Sequence, residues 1–355
     1  MAGRSRRIVF ALGSIVALTA LSASAATGYP SVAIPSPALH PAKVVIATSG
    51  KPSNVIAAVG DIACAPNSGS YRGGKGTNAG CQQNAVGALL KGRAIDAFLP
   101  LGDEQYQYGV LSDFRVSYQR AFGTYLAISE PVPGNHEYMT NGASGYFSYF
   151  GSRAHKESAG SYSYNLDGWH IIAINAQTCT GYSPCTAGSG LMKWLQADLK
   201  ANAGTKCTLA YWHEPLWSIG LHPTYVPIAP VWNALERAGV DVVLTGHDHD
   251  YQRYAPLGLA HYSLSAGSVL PPTIDRVHGM RQFVVGTGGE SNYPWGSNIP
   301  AQTRKAVEVK ATNPNHGVFG VLFLTLAPTS YSWKFVQART TGAAPFSDSG
   351  TTACH

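Results

Sequence analysis

Runs of lysine or arginine are absent from this chain of 355 residues, so it shows no electrostatic footprint for a nucleic-acid partner or an anionic membrane surface. Beyond its N-terminus it also lacks an apolar stretch long enough to cross a bilayer. No internal repeat is present. Any function must therefore rest on short motifs within a globular chain.

The N-terminus has the layout of an export signal. Three arginines lie within the first seven residues, an apolar stretch runs from residue 8 to about residue 21, and Ala23-Ser24-Ala25 follows as a small-residue cleavage site. This predicts a secretory signal peptide over residues 1–25, and the Arg6-Arg7 pair leaves both general and twin-arginine export open. Its removal would lower the formal net charge from +6 to +3, since it holds three arginines and no acid. We expect a secreted, extracellular protein, either free or associated with the cell wall.

Residues 26–53 contain five prolines among alanine, serine and threonine, which predicts a spacer. Within it, the apolar run at 44–47 is a candidate edge strand. The length would allow two domains. Strand-like segments nevertheless continue from residue 55 to residue 336 with no linker-like break, and 330–336 alternates like a half-buried antiparallel strand. We therefore predict one domain over residues 54–355.

Six cysteines in a secreted chain predict three disulfides. Cys64 and Cys81 bracket one loop rich in glycine and serine, and Cys179 and Cys185 bracket another. Cys207 and Cys354 would then tie the C-terminal tail to the strand before His213. The number of cysteines alone does not fix this pairing, and a free buried cysteine is the alternative for any one of them.

Five short motifs follow apolar runs of strand length at residues 55–59, 97–101, 131–133, 208–211 and 240–244. They are Gly60-Asp61, Gly102-Asp103-Glu104-Gln105-Tyr106, Gly134-Asn135-His136-Glu137, Trp212-His213 and Gly246-His247-Asp248-His249. A buried strand that stops at glycine and then presents Asp, Asn or His places that side chain at a sheet edge. Five such edges meeting at one crevice would form an oxygen and nitrogen cluster, which suits Fe, Mn or Zn.

Each motif alone has an ordinary explanation. Gly-Asp is commonly a turn, a single tyrosine is commonly a packed aromatic, and Gly-His-x-His also occurs in surface metal patches. All five motifs in this order, each after a strand-like run, instead predict a two-metal phosphoesterase site.

The motifs resemble those of the calcineurin-like metallophosphoesterase superfamily, and specifically its purple acid phosphatase branch, in a secreted actinobacterial form. The wider superfamily usually has Asp-x-His in its first motif, whereas this chain has Asp61-Ile62-Ala63. The purple branch also lacks that histidine and supplies a tyrosine three residues after the second-motif aspartate, where this chain has Tyr106. The resemblance covers about residues 55–254. It departs at the front, because plant members carry an N-terminal β-domain and this chain has only the spacer.

The resemblance implies two metal ions. Metal 1, expected to be Fe(III), would be bound by Asp61, Asp103, Tyr106 and His249. Metal 2, expected to be Fe(II), Zn or Mn, would be bound by Asp103, Asn135, His213 and His247. Asp103 would bridge the two ions.

The resemblance also implies roles for two histidines that do not bind metal. His136 would contact the phosphoryl oxygens and protonate the leaving alkoxide, and His222 would be a second phosphate-facing histidine. Glu137, Asp248 and Asp250 are expected to orient the ligands, and Glu104 is expected to be a loop residue. The turn at 286–289 either lines the site with backbone N–H groups or is a plain tight turn.

The implied fold is a four-layer αββα sandwich of two mixed β-sheets with helices outside, including helices at 82–91, 111–122, 190–200 and 229–238. The implied function of residues 54–355 is acid-phosphatase-like hydrolysis of a small phosphorylated substrate, a phosphate monoester, by hydroxide formed at the two metals. A phosphodiesterase acting on nucleotides or cell-envelope phosphodiesters is the alternative within enzymes. A non-catalytic phosphate- or metal-binding surface protein is the alternative outside them.

Overall fold

Fifteen strands and seven α-helices make up most of the regular structure in the computed structural model, which describes residues 44–45, 53–180, 185–222, 224–340 and 342–355. The described residues all belong to one compact unit. The predicted signal peptide lies outside the described residues. So does the predicted spacer, apart from residues 44, 45 and 53. Among the described residues, no helix is long and apolar enough to cross a membrane.

The strands are β1 Val44–Val45, β2 Asn54–Val59, β3 Ala97–Pro100, β4 Tyr162–Leu166, β5 Trp169–Ala173, β6 Cys207–Tyr211, β7 Val242–Thr245, β8 Tyr251–Leu257, β9 Tyr262–Ser263, β10 Ser268–Val269, β11 Met280–Val285, β12 Val307–Ala311, β13 Gly320–Ala327, β14 Ser330–Gln337 and β15 Ser347–Ala353. The α-helices are α1 Gln83–Ala88, α2 Leu111–Asp113, α3 Gln119–Phe122, α4 Ser144–Phe150, α5 Gly190–Ala201, α6 Ala229–Arg237 and α7 Ala301–Ala306. Short 3₁₀ turns lie at Arg72–Gly74, Gly123–Ile128, Glu137–Met139, Asn141–Ala143, Gly151–Ala154, Lys156–Ser158, Ala176–Thr178 and Val226–Ile228.

Two mixed sheets dominate the topology. The larger has the order β1-β4-β5-β6-β7-β11-β8-β12, and its four central strands, β5, β6, β7 and β11, run parallel. The smaller has the order β15-β14-β13-β2-β3, in which only β2 and β3 are parallel. The central parallel strands are buried on both faces, which explains their nearly unbroken apolar sequence.

The two sheets pack face to face through alternate residues of β14. Tyr331, Trp333 and Phe335 point towards the larger sheet and meet its aromatic rings, with centroid separations of 6.0 Å to Trp169, 5.7 Å to Phe283 and 4.5 Å to Tyr251. The period of two along a strand sends these three side chains to one face. The alternation predicted at 330–336 is therefore confirmed.

Helices cover the outer faces of both sheets. Alternate residues of β5 to β7 enter a second core that also holds Trp194 of α5 and Trp232 of α6. On the smaller sheet, Phe98 of β3 stacks on Phe122 of α3 at 5.2 Å. The order helix, sheet, sheet, helix confirms the predicted four-layer sandwich of mixed sheets.

Some predicted elements differ in extent. The helix predicted at 82–91 is confined to Gln83–Ala88, and the one at 111–122 is interrupted by a π-helical turn at Phe114–Tyr118. Helices predicted at 190–200 and 229–238 are Gly190–Ala201 and Ala229–Arg237. The predicted edge strand is confirmed at Val44–Val45, which pairs with β4; residues 46 and 47 lie outside the described residues.

The strand predicted at 131–133 is wrong. Only Val132 makes a bridge, parallel to Leu101. Pro131 and Pro133 flank it and have no N–H to donate. The contact with β3 consists of hydrogen bonds from Glu130 to the Phe98 carbonyl and from Val132 to the Pro100 carbonyl, which do not form a continuous strand.

All three predicted disulfides are present, as Cys64–Cys81, Cys179–Cys185 and Cys207–Cys354. The last joins the start of β6 in the larger sheet to the residue after β15 in the smaller one. Disulfides of this kind are typical of oxidising compartments.

Candidate dinuclear metal centre

Four of the five motifs lie at the carboxyl ends of parallel strands, two in each sheet. Asp61 and Asp103 follow β2 and β3 of the smaller sheet, and His213 and His247 follow β6 and β7 of the larger. The facing sheets therefore bring these ends to one crevice, as expected for ligands beyond the carboxyl ends of parallel strands.

Three of the motif glycines make room for a neighbouring ligand. A Cβ on Gly102 would lie 2.5 Å from Nδ1 of His213, and one on Gly246 would lie 2.7 Å from Oδ2 of Asp61. A Cβ on Gly134 would collide with the carboxylate of Asp103. Any side chain at these positions would displace a ligand, so these three glycines are required by packing.

Three candidate ligands have left-handed backbone conformations, with φ of 61° at Asp61, 49° at Asp103 and 70° at His247. Each such non-glycine residue costs on the order of 1–3 kcal/mol. Hydrogen bonds offset this cost: the His247 N–H donates to Oδ2 of Asp61 at 2.8 Å, and the Asp103 N–H donates to Oε2 of Glu137 at 2.9 Å. Three of the seven candidate ligands thus carry backbone strain, as residues at functional sites often do, although six other described non-glycine residues also have positive φ.

Asp61, Asp103, Tyr106 and His249 form what we name the first ligand group. The phenolic oxygen of Tyr106 lies 2.9 Å from Oδ1 of Asp61, 3.0 Å from Oδ2 of Asp103 and 3.0 Å from Nε2 of His249. Nε2 of His249 is 3.2 Å from Oδ1 of Asp61. The structure therefore brings together the four residues predicted for metal 1.

Asp103, Asn135, His213 and His247 form the second ligand group. Ligand atoms of Asp103, His213 and His247 all lie within 4.8 Å of one another, and Nε2 of His213 is 3.2 Å from Oδ2 of Asp103. Asn135 lies between two residues that border the Asp103 carboxylate. The N–H of His136 donates to Oδ1 of Asp103 at 2.9 Å, and a Cβ on Gly134 would lie 2.2 Å from the same oxygen. Asp103 belongs to both groups, as a bridging ligand would.

The residues present fit two metal ions. Nε2 of His213 and Oδ1 of Asn135 are buried and have no hydrogen-bond partner, so two donors of the second group are left unsatisfied by the protein itself. Ligand atoms that are bonded to one ion at about 2.0–2.2 Å lie roughly 3 Å from one another. The ligand atoms of the first group have separations of this size. The donor set of carboxylate, phenol, carboxamide and imidazole suits Fe, Zn or Mn.

The local pKa values show why a cation suits this site. Burial raises the pKa of Tyr106 well above its ordinary value, and the charges of Asp103 and Asp61 raise it further. Burial would also raise the pKa of Asp103, but the charges of His213 and His136 outweigh it and hold the pKa low. An ionised tyrosine beside ionised carboxylates therefore requires positive charge from outside the side chains, which a metal ion provides.

The three acids expected to orient the ligands make distinct contacts. Glu137 accepts hydrogen bonds from the backbone N–H groups of Asp103, Gln105 and Gly134 at 2.9–3.1 Å, and so joins the second and third motifs. Asp248 accepts the N–H of His222, whereas Asp250 accepts from the side chain of Gln252. Burial and the charge of Asp103 raise the pKa of Glu137 to about 7.

His136 lies beside the first ligand group. Its ring is 4.3 Å from the ring of Tyr106, and its Nε2 is 3.8 Å from Oδ2 of Asp103. Nδ1 contacts the carbonyl of Gln107 at 2.7 Å, so this nitrogen carries the hydrogen and Nε2 faces the centre.

His222 lies beside the second ligand group. Its ring is 4.8 Å from that of His247, and its Nδ1 is 3.6 Å from Oδ1 of Asp248. Its side chain is 47% exposed, compared with 14% for His136. His222 therefore borders the site on its open side.

Of the two alternatives for the turn at 286–289, the structural turn fits better. The N–H of Gly286 donates to the Asp250 carbonyl and that of Gly288 to the Gly60 carbonyl. Glu104 lies in a loop, as predicted. The loop is buried, however, and neither carboxylate oxygen of Glu104 has a hydrogen-bond partner.

The sequence motifs missed three residues beside His249. Nδ1 of His249 lies 3.1 Å from Oγ of Ser291 and 3.3 Å from Oε2 of Glu290, and the ring of Tyr293 stacks on the imidazole at 3.9 Å. All three follow β11, which pairs in parallel with β7 and so ends at the same edge as His247. These three residues could be found from sequence only by predicting that β11 pairs with β7, and no local sequence pattern indicates that pairing.

Comparison with known proteins matches residues 55–251, more than half of the chain, to the model of the calcineurin-like phosphoesterase family. Purple acid phosphatase 21 of Arabidopsis thaliana is 29% identical over 189 residues, covering 47% of this chain and 41% of that protein. The chain thus spans less than half the length of this relative.

Two solved structures are similar in fold. A purple acid phosphatase from yellow lupin (Lupinus luteus) seeds has a TM-score of 0.62 and 16% identity, over 85% of this chain and 54% of that one. GAP50, described as the anchor in the inner membrane complex of Plasmodium, has a TM-score of 0.53 and 14% identity, over 84% of this chain and 88% of that one. The matching family model, the two facing sheets and the five converging motifs show that the chain belongs to the calcineurin-like phosphoesterase family, with purple acid phosphatases among its relatives.

Proposed function

We propose that this protein is a secreted phosphoesterase that hydrolyses small phosphate monoesters at a centre of two metal ions. The observation that carries the proposal is the convergence of both ligand groups on Asp103, whose Oδ2 lies 3.0 Å from the phenolic oxygen of Tyr106 and 3.2 Å from Nε2 of His213. A carboxylate shared in this way is what holds two ions at one substrate.

Metal 1 would be held by the first ligand group and metal 2 by the second. The phenolate of Tyr106 suits Fe(III) at site 1, and the neutral carboxamide of Asn135 with two imidazoles suits Fe(II), Zn or Mn at site 2. When bound, two such ions acidify water and neutralise charge on the phosphoryl oxygens. Asn135 keeps the second group less negative, which favours an anionic substrate.

His136 would donate a proton to the leaving group. With Nδ1–H donated to the carbonyl of Gln107, Nε2 is the nitrogen that faces the reacting atoms. A protonated Nε2 donates to a phosphoryl oxygen on binding and passes its proton to the departing alkoxide. The backbone N–H of His136 donates to Oδ1 of Asp103 at 2.9 Å, which ties the histidine to the bridging carboxylate.

His222 would contribute to phosphoryl binding. Its backbone is fixed by the 2.7 Å hydrogen bond from its N–H to Asp248, while its half-exposed ring reaches the open side of the site. We expect His222→Ala to raise KM for an aryl phosphate by roughly 3- to 10-fold and to change kcat less, because a single charged hydrogen bond is lost.

Steady-state kinetics would test this, with His278→Ala as the control. His278 is also an exposed histidine near an aspartate, but it lies outside both ligand groups. An unchanged kcat/KM in His222→Ala would remove His222 from the site.

A non-catalytic role is less well supported. The likeness to GAP50 concerns the fold alone, so it does not decide between an anchor and an enzyme. The candidate ligands support an enzyme: all seven expected metal-binding positions are occupied by residues able to bind, and His136 and His222 lie beside them. Secretion is supported by the three disulfides and by the predicted signal peptide.

The preference for monoesters can be measured with 4-nitrophenyl phosphate and bis(4-nitrophenyl) phosphate, which share a leaving group. We expect kcat/KM to be at least about 10-fold higher for the monoester, because the second negative charge of a monoester strengthens its attraction to two cations. A higher value for the diester would make the protein a phosphodiesterase with the same metal centre.

A further inference from the structure

We propose that Glu290 is a positioning residue that orients His249 and selectively strengthens metal binding at site 1. The inference rests on the proposed function, since it takes His249 as a metal ligand. Nδ1 of His249 lies 3.3 Å from Oε2 of Glu290 and 3.1 Å from Oγ of Ser291. The hydroxyl of Ser291 in turn donates to the carboxylate of Glu290.

This arrangement assigns the two imidazole nitrogens. A hydrogen on Nδ1 is shared with the Glu290–Ser291 pair, so the lone pair is left on Nε2. Nε2 is the atom that lies 3.0 Å from the phenolic oxygen of Tyr106 and 3.2 Å from Asp61. A carboxylate behind an imidazole fixes its tautomer and makes it a more basic ligand.

The partner behind His213 differs in charge from the one behind His249. His213, in the second ligand group, turns its Nδ1 to the neutral backbone carbonyl of Leu101 at 2.8 Å. The extra negative charge of Glu290 therefore lies behind a ligand of metal 1, where the ion of higher charge is expected. Electrostatic complementarity of this kind favours a trivalent ion at site 1.

The chain holds Glu290 rigidly from two sides. Its N–H donates to the carbonyl of Asp61 at 3.2 Å, and its own carbonyl accepts the N–H of Cys81 at 2.9 Å. Gly80 pairs with Ser291, and a Cβ on Gly80 would collide with the Glu290 carbonyl. The Cys64–Cys81 disulfide joins the loop that contains Gly80 and Cys81 to Cys64, which lies three residues after Asp61. The first motif and the Glu290 segment are therefore held together.

A second contact from the same segment restrains the ring itself. Tyr293 stacks on His249 with an interplanar angle of 12°, and its N–H donates to the His249 carbonyl at 3.1 Å. The stack fixes the plane of the imidazole, and Glu290 fixes its rotation within that plane. A loop without a ligand of its own therefore positions a ligand of metal 1.

The test uses the mature holoprotein and Glu290→Gln, with Glu308→Gln as the matched control. Glu308 is a partly buried glutamate that pairs with Arg253, Arg276 and Arg281 away from the site. Each protein is dialysed against graded concentrations of EDTA, its metal content is measured, and the Tm of the metal-free form is recorded. We expect Glu290→Gln to lose one ion per chain at about 10-fold lower EDTA than the wild type, and to keep the other.

The outcomes separate this inference from the function on which it rests. A wild type that binds no metal would overturn both. A wild type with two ions, and a Glu290→Gln variant that releases them as the wild type does, would overturn the positioning role alone. If Glu290→Gln lost both ions at equally lowered EDTA concentrations, Glu290 would be a structural residue. The same conclusion would follow if the Tm of its metal-free form were lowered as much as in Glu308→Gln.

Discussion

The His136→Ala variant is expected to hydrolyse an aryl phosphate with kcat lowered about 100-fold or more, while both metal ions stay bound. Loss of a general acid in the transition state costs typically about 10²- to 10⁴-fold. No proposed ligand atom is removed, because the hydrogen bond of His136 to Asp103 comes from its backbone N–H, which alanine keeps. The imidazole Nε2, 3.8 Å from the carboxylate, belongs to neither ligand group.

The nature of the leaving group sharpens this prediction. 4-Nitrophenolate departs without protonation far more readily than an alkoxide, so the loss in kcat should be larger for an alkyl phosphate than for the aryl ester. Kinetics on both esters, with elemental analysis of the same samples, would show it. If His136→Ala lost a metal ion, His136 would be a structural ligand rather than a proton donor.

We expect the iron-loaded wild type to show a visible absorption band and the Tyr106→Phe variant to lack it. A phenolate bound to Fe(III) transfers charge to the metal and gives a violet-to-pink colour, and phenylalanine has no oxygen to donate. The fold should survive, because the buried ring is kept and packs 4.3 Å from His136 and 5.7 Å from His249. Metal 1 should bind more weakly, since the lost oxygen lies within 3.0 Å of three other ligand atoms.

Tyr118→Phe is the matched control for this variant. Tyr118 is also fully buried, but its hydroxyl has no hydrogen-bond partner and it belongs to neither ligand group. We expect its visible spectrum to equal that of the wild type. An iron-loaded, active protein without the band, or a band that survives Tyr106→Phe, would place the chain outside the purple branch and leave its family membership intact.

The convergence of the candidate ligands could be predicted from sequence because its signals are local. A strand, a glycine and a polar side chain follow one another at Asp61, Asp103 and His247. Close packing against a neighbouring candidate ligand excludes a side chain at Gly102 and Gly246. Ala63 and Tyr106 indicate the purple acid phosphatase branch for a similar reason. The metal ligand that is missing at Ala63 in the first motif is matched by an added ligand, Tyr106, in the second.

Other features depended on contacts that local patterns do not encode. Glu290 and Ser291 reach His249 only because β11 pairs with β7. No sequence pattern near residue 290 indicates that these side chains contact a metal ligand. Residues 131–133 show the opposite failure, because an apolar run predicted a strand where the chain makes only an isolated bridge at Val132. The loop position of Glu104 could be predicted, but its burial could not, because the packing that buries it comes from distant segments.

The most direct test of a two-metal phosphoesterase is the metal content of the purified mature protein, measured together with phosphate release from 4-nitrophenyl phosphate. We expect two metal ions per chain, and hydrolysis that disappears when the ions are removed and returns when Fe, Zn or Mn is restored. No more than trace metal, with no hydrolysis after reconstitution with any of these ions, would contradict it.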